Sequence, residues 1–423
     1  MTLTVVLGLA VFLGTYALIA TERIHKTIAA MGGGVAMILL GIVTQEQAFE
    51  HIDFNVIFLL AGMMILAGII RKTGVFGWMA VRAARFAGGD AYRILVVMCV
   101  ITAIASALLD NVTTVVLVGP ITLFLAARLG LNPMPFIIAE ILASNIGGTA
   151  TLIGDPPNIL IASGAGIDFL TFLVNMAPLA LIVLVLFLVA ARWMFRGQFA
   201  IDPAMRDALL ALDERQMIVD PPLLRRSLVV LGLTLLGFLF HGPLGFEPAT
   251  VALTGAVVLM VVARENPAEI LRDVEWPTLF FFIGLFMLIA GVIEIGMIEA
   301  IATALTDVTD GGLAAGTIVI LWLSAALSGV VDNIPYTATM IPVVQEMSAP
   351  HGGSLALWWA LAAGADMGGN LTIIGASANV ILASMAEREG HPIGFWTFMR
   401  YAGPVTLGSI LISTAYIWLR YLL

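Results

Sequence analysis

Charge is what this chain of 423 residues most conspicuously lacks. Only 11% of its side chains are charged against 61% hydrophobic, too few to cover the surface of a soluble fold of this length. Cysteine is all but missing: Cys99 alone excludes an internal disulfide and a thiolate cluster for a soft metal. The five histidines, 25, 51, 241, 351 and 391, are scattered without ligand spacing. There is no basic tail or aromatic-basic patch, so nucleic acid is not an expected partner. The net charge of −9 carries little information about partners, because much of the acid falls within apolar segments or short loops. The first apolar run, 2–20, has no basic stretch before it and is long enough to span, so it reads as a membrane helix rather than a cleaved leader.

What the chain does have is apolar runs of bilayer-spanning length from end to end. They are continuous rather than alternating, which disfavours a β-barrel. The partner they imply is the lipid bilayer. Simple spans are expected at 2–20, 26–43, 54–70, 169–191, 227–241, 248–264, 276–293 and 396–419. Four further segments are irregular. Residues 93–127 and 313–347 are too long for one span and polar in the middle, whereas 134–165 and 354–386 are interrupted by Gly, Asn, Thr and Asp. The longest polar connection, 192–226, carries Arg192, Arg196, Arg206, Arg215, Arg225 and Arg226 among acids and reads as a surface linker.

The two sides of that linker repeat one another. "SALLDNVTTVVLVGP" (106–120) aligns with "SGVVDNIPYTATMIP" (328–342), and "GGTATLIGDPPN" (147–158) shares six of twelve positions with "GGNLTIIGASAN" (368–379). "IDFNVIFLLAG" (52–62) falls opposite "VEWPTLFFFIG" (274–284), so three blocks recur in order at an offset of 221–222 residues. The loop 71–93 holds Arg71, Lys72, Arg82, Arg85 and Arg93 against Asp90, whereas its counterpart 294–312 has no Lys or Arg and carries Glu294, Glu299, Asp307 and Asp310. Positive loops stay cytoplasmic, so equivalent loops lie on opposite faces and the repeats are inverted. The count closes at ten crossings, with 93–127 and 313–347 entering and returning as hairpins and both termini outside. The expected fold is an all-α polytopic membrane protein of two inverted-topology repeats, each with a re-entrant helical hairpin and a broken transmembrane helix. Residues 1–191 form the first repeat, 192–226 a cytoplasmic linker and 227–423 the second.

An arm of about 25 Å from 93 to 109 reaches most of the way across. It puts Asp110, Asn111 and Thr113 at one tip and Asp332, Asn333 and Thr337 at the other, each facing the broken helix of its own repeat. The first break is Asn145, Gly147, Gly148, Thr149, Thr151, Gly154, Asp155, Pro156, Pro157 and Asn158; the second is Asp366, Gly368, Gly369, Asn370, Thr372, Gly375, Ser377 and Asn379. Proline stops a helix and glycine lets the chain turn. Freed carbonyls and the Asn, Thr and Asp oxygens suit a hard cation, with sodium expected at Asn111, Asn158, Asn333 and Asn379. Intramembrane acids present in both halves read as functional. Asp155 has no acidic counterpart and is read equally as a cap of the second half-helix. Glu140, near the cytoplasmic start of its span, reads as snorkelling to the interface, with a proton relay as the alternative. Gly147 and Gly368 read first as close-packing residues.

On these residues, "LLDNVTTVVLVGPITLFL" and "AEILASNIGGTATLIGDPPNILI" above all, the chain resembles the ion transporter superfamily. Within it the resemblance is to the group of arsenite permeases (ArsB type), NhaD-type sodium/proton antiporters and the melanosomal P protein. More distantly it is similar to divalent-anion/sodium symporters. Asp110 and Asp332 stand where those symporters usually have serine, which disfavours a dicarboxylate. The resemblance implies a secondary transporter rather than an enzyme, multi-pass in the cytoplasmic membrane. It implies a homodimer working by an elevator-like movement. The expected activity is antiport of arsenite, antimonite or sodium against protons; the alternatives are sodium-coupled anion uptake and an anion channel. The cargo is a small inorganic ion or oxyacid, the coupling ion is a proton or sodium, and no cofactor is expected. Any ATP coupling would come from a separate soluble ATPase subunit.

Overall fold

The structure is a computed structural model that describes residues 2–21, 23–199, 204, 206, 207, 214–264 and 266–423. Most of the expected linker's centre, 200–203, 205 and 208–213, lies outside the described residues, as does the side chain of Arg215. The described residues are helical, without a strand. The first half runs α1 (Leu3–Thr21), α2 (Lys26–Leu39), α3 (Gln45–Glu50), α4 (Phe54–Lys72), α5 (Val75–Phe86), α6 (Ala91–Leu108), α7 (Asn111–Arg128), α8 (Met134–Gly148), α9 (Pro156–Ala165) and α10 (Phe169–Met194). The second runs α11 (Pro221–Leu244), α12 (Pro248–Ala263), α13 (Pro267–Arg272), α14 (Trp276–Glu294), α15 (Met297–Val308), α16 (Leu313–Ser328), α17 (Asn333–Ser348), α18 (Leu355–Gly368), α19 (Ser377–Arg388) and α20 (Phe395–Ile417). From α2 to α9, each helix start reappears 221 or 222 residues later. Eight described helices are long and apolar enough to cross a membrane individually. α8–α9 and α18–α19 are each two short helices on either side of a break.

Local sequence sets the boundaries. Asp53, Asp90, Asp168 and Asp220 cap α4, α6, α10 and α11 by accepting from backbone amides at 2.8–3.2 Å. Proline opens α9, α11, α12, α13 and α14, where a missing N–H costs nothing. The capped Pro221-Pro222 pair starts α11 inside the stretch 192–226 expected as linker, and the helix extends past the expected span 227–241 at both ends. Gly74 and Gly296, at equivalent positions, take the left-handed conformation (φ 78° and 72°) that turns α4 into α5 and α14 into α15.

The halves interlock crosswise. α2 lies along α14, with Gly34 against Met287 and Met37 against Gly291, and α12 lies along α4, with Ala252 against Gly62. α17 packs on α9 and α19 on α7, so each hairpin's returning arm meets the other repeat's half-helix. On the face expected to be cytoplasmic, Asp273 pairs with Arg71 at 3.0 Å. Glu214 bridges Arg82 and Arg85 at 2.6 and 3.4 Å, and the Val219 amide donates to Thr73 O at 2.9 Å, tying the end of the linker to the first repeat. The faces turned outward are apolar, with Leu181, Val185 and Val189 on α10 and Leu233, Leu236 and Phe240 on α11 all exposed, as lipid-facing helices require.

Close helix contact rests on small residues. A Cβ on Gly147 would stand 2.3 Å from Ala103 O in α6, and one on its counterpart Gly368 would stand 2.5 Å from Ala325 in α16. We expect Gly147→Ala and Gly368→Ala each to cost about 1–3 kcal/mol, read as a lowered thermal midpoint in detergent. Gly32→Ala on α2, which meets nothing within 4 Å, should leave the midpoint unchanged or slightly raised. Equal midpoints for all three would refute the close-packing role.

Candidate functional site

The hairpin turns at Leu109–Asp110 and Gly329–Asp332 meet the breaks at 149–155 and 369–376 where α8, α9, α18 and α19 end or begin. Backbone that leaves a helix at this depth needs partners inside the protein. Asn158 Nδ2 donates to Gly148 O and Thr151 O at 3.2 Å each, and its counterpart Asn379 Nδ2 donates to Gly369 O and Thr372 O at 2.8 and 2.9 Å. Gly148 and Gly154 lie against one another across the first break, as Gly369 and Gly375 do across the second. Pro156 and Pro157 occupy the first turn of α9. Gly147 and Gly368, expected among the break residues, lie inside α8 and α18 against the hairpin helices, whereas 148, 154, 369 and 375 meet across the breaks.

Each tip is stapled to its own break. Ser106 Oγ donates to Ser144 O at 2.7 Å and Thr151 Oγ1 to Ala107 O at 2.5 Å; Ser328 Oγ donates to Ala365 O at 2.6 Å and Thr372 Oγ1 to Gly329 O at 2.7 Å. Thr151 and Thr372, expected to line the site, thus spend their hydroxyls on the staples. Each tip thus faces the break of its own repeat, and the second tip also reaches across: Asn333 Nδ2 donates to Asp155 of the first repeat at 3.3 Å. Asn145 Nδ2 likewise crosses to Asn370 Oδ1 and Asn379 Oδ1 at 2.9 and 2.8 Å. The reason is the crosswise packing of α17 on α9.

Asp155 is 1% exposed and takes the cap position of α9, yet its side chain accepts no capping hydrogen bond. Its carboxylate turns to Asn333 instead, so the capping alternative fails; Asn111 also stands beside it. Asp366 is fully buried, with both carboxylate oxygens unpartnered and Asn158 and Thr149 flanking it. Asn111 Oδ1, Asn158 Oδ1 and Thr337 Oγ1 are likewise buried and unpartnered. Asn111 Nδ2 donates to Asn145 Oδ1 at 3.3 Å. Asp366 and Asp332 both lie within electrostatic reach of Asp155. The centre of the molecule is therefore a buried cluster of two carboxylates and several amide and hydroxyl oxygens.

The tip acids sit at its edge. Asp110 accepts from Thr113 N at 2.7 Å and Asp332 from Ile334 N at 3.1 Å, so both cap the returning arms α7 and α17. Thr113 borders a small crevice with Arg71, Asp273 and Glu275. Burial and the nearby Asp110 carboxylate push Glu275, just before α14, above the usual glutamate range. Sequence reasoning missed two partners of Asp332: Lys26 Nζ at 2.9 Å and Ser377 Oγ at 2.8 Å, the latter noted only as a break residue. Lys26 begins a span and reads as an ordinary interfacial lysine; the signal against that was its counterpart, Pro248.

Glu140 does not snorkel. It is 1% exposed and its Oε1 accepts from Thr122 Oγ1 at 2.5 Å, because α7 covers it on the side expected to open to the interface. Cys99 is buried and free, as packing requires. Among the described residues no group of three or more His, Cys, Asp or Glu is placed to hold a metal. On the far face from the linker, a cavity of about 440 Å³ runs between Asn55, Leu152, Ile159, Asp168, His241 and Glu247. It reaches the first break at Leu152.

Asn145 carries the central bond between repeats. Asn145→Ala leaves two buried acceptors without a donor and should cost about 1–3 kcal/mol. Asn145→Asp should cost more, since it sets a third carboxylate against those oxygens. The order of thermal midpoints, wild type above Ala above Asp, checks this; Asp equal to wild type would refute it.

A family model described as citrate transporter (CitMHS) matches residues 16–364. An uncharacterized transporter of Mycobacterium bovis is 45% identical over 98% of this chain and 98% of its own. The 46 kDa membrane protein of Mycobacterium leprae is 44% identical over 99% of both. The human P protein is 34% identical over 98% of this chain, which spans 59% of that protein's length. Among solved structures, the YdaH transporter of Alcanivorax borkumensis matches over 98% of both chains with a TM-score of 0.57 at 14% identity, a likeness of fold alone.

Proposed function

The chain belongs to the citrate transporter (CitMHS) family of membrane transporters, and from that premise we propose that it exchanges sodium for protons across the cytoplasmic membrane. The observation that carries this reading is the pair Asp155 and Asp366, both buried at the breaks and without a basic partner among the described residues. Uncompensated carboxylates at membrane depth favour a proton or a cation over an anion. The surrounding unpartnered groups are mostly oxygens, the donor type that a hard cation prefers. The helix N-termini that would hold an anion are largely occupied: Asp110 and Asp332 cap two, and Pro156-Pro157 removes the donors of a third.

In this reading α6–α10 and α16–α20 move as one body against α1–α4 and α11–α14. The staples between tips and breaks keep that body intact as it carries the ion from one face to the other. Protons and sodium compete for the same carboxylates, which couples their fluxes in opposite directions. The family's description supports a second reading, uptake of a carboxylate anion, for which Lys26 is the basic group at hand. Arsenite, a neutral trihydroxide at pH 7, is the third cargo to compare, since Asn and Thr groups suffice to bind its hydroxyls.

Proteoliposomes with an imposed pH gradient and an internal pH dye separate these. We expect sodium to drive proton movement, and Asp155→Asn and Asp366→Asn each to reduce it at least about tenfold. Proton movement with arsenite alone, or with citrate alone, would replace the sodium reading by the corresponding one. Wild-type rates in both variants would remove these carboxylates from the mechanism.

A further inference from the structure

The two half-sites are built from the same fold but not from the same charges. Around Asp332, Lys26 Nζ lies 2.9 Å from the carboxylate and 2.5 Å from Ser377 Oγ, and Ser377 Oγ donates to the same carboxylate oxygen at 2.8 Å. The lysine's ammonium also stands 5.1 Å from the centre of the Phe281 ring of α14, a favourable seat for a cation. A second contact from the same side adds to the grip: Tyr16 OH donates to Pro335 O at 2.6 Å and lies 2.5 Å from Thr339 Oγ1. Tyr16 and Lys26 belong to α1 and α2, whereas Asp332, Pro335 and Thr339 belong to the second hairpin and Ser377 to the half-helix beside it.

The inverted counterpart has none of this. Where Lys26 and Ser377 stand in one half, Pro248 and Pro156 stand in the other. Asp110 accepts from its own helix, and no Lys or Arg pairs with it among the described residues. One hairpin tip is therefore tied to α1 and α2 through a charge pair, and the other is not.

We propose that Lys26 is a tethered counter-cation: it neutralises Asp332 while the site is without cargo and holds the second hairpin against α2 until a mobile cation takes its place. The inference rests on the cation-transport reading above. Two cations cannot share one carboxylate oxygen at contact distance without strong repulsion, so cargo reaching Asp332 displaces the ammonium. The amine is well placed to leave, since it is a point charge on a flexible stem and its side chain is 28% exposed. Once it has left, the charge pair between the hairpin and α2 is gone. The result is a rule for exchange: the body is held when unloaded and freed when loaded, so the unloaded body does not cross.

The test uses full-length protein in liposomes, with Asn55→Cys as reporter in a Cys99→Ala background. Asn55 lines the outer cavity on α4, where movement of α9 changes access. A membrane-impermeant maleimide is applied from the cavity side in sodium-free choline buffer. Lys26→Gln should change the labelling rate about threefold, the size of shift that loss of one partly exposed charge pair gives a two-state equilibrium. Lys26→Arg should keep the wild-type rate, which a merely structural loss of packing would not do. Asp332→Asn, which removes the same pair from its other end, should match Lys26→Gln and serves in its place should that variant not fold. Adding sodium should move the wild-type rate toward that of Lys26→Gln and leave Asp332→Asn unchanged. Wild-type labelling in both Lys26→Gln and Asp332→Asn would overturn the tether, as would failure of Lys26→Arg to retain the wild-type rate. A sodium-insensitive wild type alongside an altered Lys26→Gln would uphold the tether and overturn sodium as the cargo.

Discussion

Everything at the centre of this molecule follows from one constraint: a helix broken at membrane depth leaves polar backbone where no water can satisfy it. The chain meets that demand twice with the same device. An asparagine one turn into the second half-helix, Asn158 or Asn379, folds its amide back onto two carbonyls of the break. A threonine within the break, Thr151 or Thr372, donates to a carbonyl at the neighbouring hairpin turn. A serine in the hairpin, Ser106 or Ser328, donates to a carbonyl of the first half-helix. Tip, break and both half-helices become one unit through these bonds. Asn111 Oδ1, Asn158 Oδ1, Thr337 Oγ1 and both Asp366 oxygens are left without a partner among the described residues.

The repeat supplies the frame and substitution within it supplies the chemistry. Asn145 and Asp366 are equivalent positions, yet the first spends its amide on bonds across the repeats while the second offers two unpartnered oxygens. Asp155 faces Ala376 in the alignment, so the first break brings an acid that the second lacks. The crosswise packing of α17 on α9 then lays Asn333 against Asp155. One acid from each half arrives at one place although the two acids are not equivalent. A strictly symmetric molecule would have set either two acids or none at each position. The tip acids accept from backbone amides of the returning arms, Asp332 pairing with Lys26 as well, whereas Asp155 and Asp366 do neither.

Much of this was legible in the sequence, and for identifiable reasons. Proline, glycine and acid inside apolar runs are costly enough that each marks a break. Their recurrence at one offset gave the repeat, and the contrast between loops 71–93 and 294–312 gave its inversion. The resemblance to the group containing the P protein agrees with the relatives found. What stayed hidden was contact between elements distant in the chain. Nothing near Asp332 in sequence points to Lys26, 306 residues away. Glu140 sits close to a helix start and so reads as snorkelling, but only the placement of Thr122 on a covering helix decides the matter. Asp155 precedes two prolines as a cap would, but proline has no amide to donate, and the aspartate carboxylate accepts from Asn333 of the other repeat instead. Local patterns predict local bonds; each correction here is a long-range one.

The family's description and the site pull on the cargo in different directions, and electrostatics decides how to weigh them. A carboxylate cargo brought to Asp155 and Asp366 would meet two like charges in a medium where repulsion is screened far less than in water. Lys26 is already engaged by Asp332, so it offsets only one of the acids near the centre. An anion would therefore need protons or cations on Asp155 and Asp366 before it could bind. Cation or proton loading at that pair then comes first whichever cargo follows. The sodium reading and the carboxylate reading both require this charge compensation at Asp155 and Asp366 and part at what enters with it.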